Sequence, residues 1–203
     1  MDVSLLTGDA DVFTANAYLV TDGSPTLVDV GTVSGIASRI SNHVDDLETV
    51  VLTHQHTDHV ARLDEVMEAF DPTLVAAADT AYRTTIVEDG DEVQIGEEAF
   101  EVVATPGHAN DHLAFVGETA VFSGDVVVYN DTAFEDGSFG RTDQPGQDRE
   151  TLIESIERLQ VRLSPSVESL FAGHGDPYHG DVSAVVRRAL ERARRREPKY
   201  PEE

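Results

Sequence analysis

Short apolar runs alternate along the chain with stretches whose apolar positions recur at helical spacing. Ala17–Val20, Thr26–Val30, Thr49–Thr53, Leu74–Ala77, Ala99–Ala104, His112–Val116, Ala120–Ser123 and Ser169–Ala172 read as strands. Leu63, Val66, Met67 and Phe70 share one face of a helix that Asp71-Pro72 stops. Leu152, Ile153, Ile156 and Leu159 form a second stripe, with Asp148 as its N-cap. Val182, Val185, Val186, Ala189, Leu190 and Ala193 form a third, capped by Asp181. A shorter helix is predicted from Ser34 to Ile40. The stripes are expected to face a sheet and belong to the core. Repeats, low-complexity tracts and linkers are absent, so the pattern is a mixed α/β one.

The 203 residues suit one domain, 1–203, large enough to bury a core without disulfides or a structural metal. The chain has no cysteine, which excludes disulfides, thiolate zinc sites and cysteine nucleophiles. Any metal must therefore sit on nitrogen and oxygen. No apolar run is long enough to span a membrane. Met1-Asp2-Val3-Ser4-Leu5-Leu6 lacks the start of a signal peptide, so a cytoplasmic protein is expected. Acidic residues number 39 against 14 basic, a net charge of −25, and Lys199 is the one lysine. This balance resembles that of cytoplasmic proteins from extreme halophiles, in which salt screens self-repulsion. Such a surface repels nucleic acid, whose binding needs Lys and Arg. Residues 187–199 reverse the balance with Arg187, Arg188, Arg192, Arg194, Arg195, Arg196 and Lys199. They are expected to be a solvated helix end favoured by the helix dipole, in preference to an anion or partner patch.

The chemistry stands just past the strand ends. Val50-Val51-Leu52-Thr53 leads into His54-Gln55-His56-Thr57-Asp58-His59, and Val102-Val103-Ala104 into Thr105-Pro106-Gly107-His108. Val121-Phe122-Ser123 leads into Gly124-Asp125, and Leu170-Phe171-Ala172 into Gly173-His174-Gly175. A rigid sheet edge with tight turns can aim such side chains at one spot. In an extended segment alternate residues share a side, so His54 and His56 can grip one metal. Asp58 and His59, at the start of the next helix, can grip a second, and Asp125 has two oxygens with which to bridge. Imidazole with carboxylate suits Zn, and also Fe or Mn.

These residues resemble the metallo-β-lactamase superfamily, and within it the glyoxalase II-like (hydroxyacylglutathione hydrolase-like) thioester hydrolases. Further markers are Asn16-Ala17-Tyr18-Leu19-Val20 and Leu27-Val28-Asp29-Val30-Gly31. Gly137-Ser138-Phe139-Gly140-Arg141-Thr142-Asp143 points to the glyoxalase II-like branch. The resemblance implies a four-layer αββα sandwich with two mixed sheets and two divalent metal ions at one edge. It places His54, His56 and His108 on one metal, Asp58, His59 and His174 on the other, and Asp125 between them. Asp29 would support the metal-binding loops without ligating, and His112 would orient a ligand or sit buried in the core. His43 and His179 are expected on the surface. A metal-bridging hydroxide would attack the carbonyl of an acyl thioester, with Asp58 accepting its proton. Arg141 is a candidate partner for a substrate carboxylate or a structural ion pair; Tyr178 is a candidate oxyanion donor or an exposed loop residue.

The chain after His174 is long enough for one helix and a short tail, which leaves out the glutathione-binding helical domain of full-length glyoxalase II. Alternatives on the same residues are a persulfide dioxygenase with one iron on His54, His108 and Asp125, a lactonase, and a non-enzymatic binding module using the basic C-terminal helix. A β-lactamase is disfavoured, because the common types carry Cys at the Asp125 position. A nuclease is disfavoured by the acidic surface.

Overall fold

The computed structural model describes residues 1–82 and 84–199. Arg83 and residues 200–203, part of the expected domain 1–203, lie outside the described residues. The apolar runs assemble into two six-stranded sheets. The first holds β1 (Val3–Leu5), β2 (Tyr18–Val20), β3 (Thr26–Val28), β4 (Thr49–Val51), β5 (Thr73–Ala76) and β6 (Thr84–Ile86), side by side in that order. β1, β2 and β3 pair antiparallel, and β3 to β6 pair parallel. The second sheet runs from β7 (Glu92–Ile95) through β8 (Glu98–Ala104), β9 (Leu113–Val116), β10 (Ala120–Gly124) and β11 (Ser169–Ala172) to β12 (Tyr178–His179). Its pairs are antiparallel except β10 with β11.

Successive strand side chains point to opposite faces, and both faces are buried, so the strands read as continuous apolar runs. Leu19, Leu27, Val50 and Leu74 point outward under helices α1 (Ile36–Ser41) and α3 (Leu63–Phe70). Their neighbours Tyr18, Val20, Val28, Val51 and Val75 point inward against Phe100, Val102, Phe115, Phe122 and Phe171 of the second sheet. That sheet's opposite face, with Val103, Ala114, Val121 and Leu170, packs under α4 (Arg149–Arg162) and α5 (Val182–Arg194). Three apolar layers between four layers of elements make the αββα sandwich. The short α2 (Thr57–Val60) lies inside the first metal motif.

The helix ends follow local chemistry. Asp148 and Asp181 accept backbone N–H bonds from Thr151 and Ala184, satisfying donors that a helix start leaves open. Asp71 closes α3 in a left-handed conformation (φ 49°) before Pro72, which cannot continue the helix. The shorter predicted helix is shifted to Ile36–Ser41, because Gly35 takes a left-handed turn (φ 79°) in front of it. β1, β6, β7 and β12 were not expected from the apolar runs; all four are sheet edges.

β3 and β4 run parallel, as do β10 and β11, and two antiparallel steps make β8 run the same way as β10. Within each sheet the chemically distinctive segments therefore leave from one edge. Backbone bonds join the two edges: Leu113 donates to the Thr53 carbonyl (2.7 Å) and Asn16 to the Gly173 carbonyl (2.7 Å).

Candidate metal centre

Thr53 and Asp29 orient the first motif. Asp29, left-handed at φ 56°, accepts from the Thr53 N–H (2.9 Å), the Thr53 hydroxyl (2.8 Å) and His59 Nδ1 (2.8 Å). The hydroxyl has one proton, and it goes to the carboxylate. Thr53 Oγ1 therefore accepts from His54 Nδ1 at 3.1 Å. Both rings thus spend Nδ1–H on these bonds, which leaves Nε2 as the nitrogen that can ligate. His108 reaches the same state by donating Nδ1–H to the Arg141 carbonyl at 2.9 Å.

These nitrogens converge. His54, His56 and His108 offer ligand atoms within 4.8 Å of one another, as do Asp58, His59 and His174. A third such group, His54, His59 and Asp125, links the first two. Asp125 lies between them, Oδ2 being 3.3 Å from His108 Nε2 and 3.5 Å from His174 Nε2, and Oδ1 3.5 Å from His59 Nε2. His174 Nε2 lies 3.0 Å from Asp58 Oδ2. The Nε2 atoms of His54, His59 and His108 and Oδ1 of Asp125 are buried without a hydrogen-bond partner. Buried polar atoms are rarely left so, and a cation is the partner that satisfies lone pairs on all of them at once. The donor set fits divalent metals.

Electrostatics agree. Burial, with nearby His59 and His112, pushes His54 well below the ordinary imidazole value. Burial also lowers His108, against the pull of Asp125. Both are neutral and ready to ligate. Burial opposes a charge on Asp125, yet His174, His108 and His59 hold its carboxyl well below the usual range. Burial likewise opposes a charge on His59, but Asp29 and Asp125 hold it well above the ordinary value. In His174, Asp125 and Asp58 likewise outweigh burial and raise it.

Glycine makes room for this packing. A side chain at Gly173 would collide with the Asp125 carboxylate, and one at Gly140 with the Asp125 carbonyl and the His108 ring.

The sequence profile of the metallo-beta-lactamase superfamily matches residues 10–200. The chain belongs to this superfamily. Among curated relatives, the hydroxyacylglutathione hydrolase of Aliivibrio fischeri (strain MJ11) is 32% identical over 109 residues, covering 52% of this chain and 43% of that protein. That of Vibrio cholerae (strain M66-2) is 32% identical over 104 residues, covering 50% and 41%. The matched stretch is thus less than half the length of these relatives. Among solved structures, ETHE1 from Myxococcus xanthus superposes with a TM-score of 0.76 at 25% identity, over 95% of this chain and 84% of that one. TTHA1623 in a di-iron-bound form gives 0.67 at 26% identity, over 88% and 98%.

In this superfamily member a cavity of about 480 Å³ opens beside the centre, touching His56, Asp58, His108, Asp125 and His174. Arg141 also lines it, forming two bonds to Asp143 (2.8 and 2.6 Å). Tyr178 does not line it. Its ring lies on Tyr129 (centroids 4.5 Å apart) and packs against the core under α4 and α5. His112 is fully engaged: Nε2 accepts from the Asp125 N–H (2.8 Å) and Nδ1 donates to Thr105 Oγ1 (2.7 Å). It positions Asp125, and burial pushes its pKa down to about 3. His43 and His179 are exposed.

Thr53, Asn16, the Arg141 carbonyl and Phe13 were not singled out from the sequence. Asn16 Nδ2 donates to the carbonyls of Ala172 and Gly175, framing the His174 turn. Thr53 stands directly before the motif, and Asn16 opens a family marker; their positions were the available signal. The basic segment is the exposed end of α5, as expected, and most of its cations are also paired. Arg188 and Arg192 pair with Asp136, Arg194 with Glu157, Arg196 with Glu150 and Lys199 with Asp131. It ties α5 to the 131–137 loop and to α4.

Proposed function

We propose that the chain is a dinuclear metal-dependent hydrolase that cleaves acyl thioesters. The observation that carries this is the pair of ligand groups joined through Asp125, with lone pairs that nothing else in the fold satisfies. His54, His56 and His108 would hold one ion, and Asp58, His59 and His174 the other. The di-iron form of TTHA1623 supports two ions. Zn is our first choice, with Fe and Mn served by the same donors. When bound, such ions bring the pKa of water towards neutrality and polarise a carbonyl oxygen.

Asp58 faces the cavity, and its hydrogen bond with His174, working against burial, holds it ionised. It would take a proton from the attacking water. The water oxygen joins the carbonyl carbon and the C–S bond breaks, giving a carboxylic acid and a thiol. A thiolate leaves readily, so no acid is needed to protonate it first. The hydroxyacylglutathione hydrolase relatives support the thioester bond. Their matched stretch is too short to bring glutathione itself with it. The partner is a small molecule, and the acidic surface argues against nucleic acid. Among the described residues no helix is long and apolar enough to cross a membrane.

The test is elemental analysis of protein purified without added metal, with S-lactoyl and other thioesters assayed in high salt. About two ions per chain with thioester cleavage is the expected outcome. A single iron per chain, no cleavage and oxygen uptake with a persulfide would replace this reading with the dioxygenase.

A further inference from the structure

The loop between β1 and β2 carries an apolar tip, Val12-Phe13, among Asp9, Asp11 and other polar residues. Phe13 is 78% exposed and is the one aromatic among the exposed large apolar side chains of the described residues. Its place is fixed by the loop's base. Ala15 donates to the Asp58 carbonyl (3.2 Å), Asn16 to the Gly173 carbonyl (2.7 Å), and Thr32 Oγ1 to the Phe13 carbonyl (2.9 Å). The same bonds that locate two metal motifs therefore locate Phe13. Its ring stacks on His174, centroids 5.3 Å apart and planes 17° from parallel, and lines the cavity with Val128. An aromatic face held open to water at the mouth of a reacting centre has its apolar partner still to come.

We infer that Phe13 is the apolar wall that selects the acyl group, and that the preferred substrates carry an apolar acyl chain. This rests on the thioester reading. The acyl substituent and the sulfur are both bonded to the carbonyl carbon, so either arm lies within reach of a ring stacked on a ligand of the centre; the acyl arm is the one assigned to it, and the experiment separates the two. An apolar chain covers Phe13 and Val128 and displaces water from both; a short polar acyl group leaves them wet.

The experiment compares S-acetyl and S-hexanoyl N-acetylcysteamine on the metal-loaded wild type, Phe13→Ala and Phe13→Leu. The hexanoyl-to-acetyl ratio of kcat/KM should be about tenfold in the wild type, fall to near one in Phe13→Ala, and largely return in Phe13→Leu. Metal per chain should be equal in all three. A ratio unchanged in Phe13→Ala, or both esters slowed by one factor, overturns the inference, since a ring that merely shields His174 acts on all substrates alike. If the preference follows the thiol when the acyl group is fixed, the acyl assignment fails. Should the wild type cleave no thioester, the parent reading fails separately. Calorimetric binding of hexanoate against acetate to the same proteins then decides: tighter hexanoate binding lost in Phe13→Ala supports the wall, and equal binding overturns it.

Discussion

Asp29 governs the centre without being placed to ligate. One carboxylate takes the Thr53 hydroxyl proton and the His59 Nδ1 proton, and so decides which nitrogens of His54 and His59 remain free. Asp29→Asn keeps the shape but puts a donor where an acceptor is needed. We expect metal affinity to fall about 10- to 100-fold with the fold intact, measured by competition with a chelator. The same residues set a pH dependence. His59 and His174 are raised in the metal-free chain. Their ion pairs contribute stability that is complete below the unfolded imidazole value of about 6.5 and lost as pH rises through the folded ones. Chelated protein should therefore lose thermal stability above neutral pH. Metal-loaded protein should hold its stability there and instead release metal in acid, where protons compete for the imidazoles. Melting curves of the two forms over about pH 6 to 9 separate these behaviours; parallel curves would show that the metal does not replace those protons.

At the scale of elements, most strands visible in the sequence are buried on both faces. β1, β6, β7 and β12 escaped because edge strands are partly wet. Thr84-Thr85-Ile86 is largely polar, and Glu92-Val93-Gln94-Ile95 buries only alternate residues. Helices were easier, since stripe and cap agree. Removing the cap with Asp181→Ala should cost about 1 kcal/mol in denaturant unfolding, with metal content unchanged. An unchanged midpoint would mean that α5 is held by its packing and ion pairs alone. Those pairs are what the sequence could not reveal. The excess of arginine near the C-terminus was visible, but Asp136, Glu150 and Glu157 as partners are set by how α5 lies beside α4 and the 131–137 loop.

For the molecule as a whole, the net charge of −25 is the dominant long-range term. We predict that the thermal midpoint rises steeply with added KCl and that dilute buffer lowers helicity, as followed by circular dichroism, because salt screens self-repulsion. Full helicity and activity in dilute buffer would contradict salt adaptation. The sequence by itself determined the α/β pattern, the central strands and the seven candidate ligands. Apolar burial and metal-binding residue types both leave a one-dimensional signature, here a His or Asp immediately past a strand end. The grouping that the family resemblance implied is the one the tertiary structure brings together, and only that structure decided which residues support it and which sit elsewhere. It set Asp125 between the two ligand groups, assigned Thr53 and the Arg141 carbonyl to orient histidines, sent Tyr178 into packing and brought Phe13 over His174. Those outcomes depend on strand direction and on bonds between the two sheet edges, which join residues far apart in the chain and leave no local pattern.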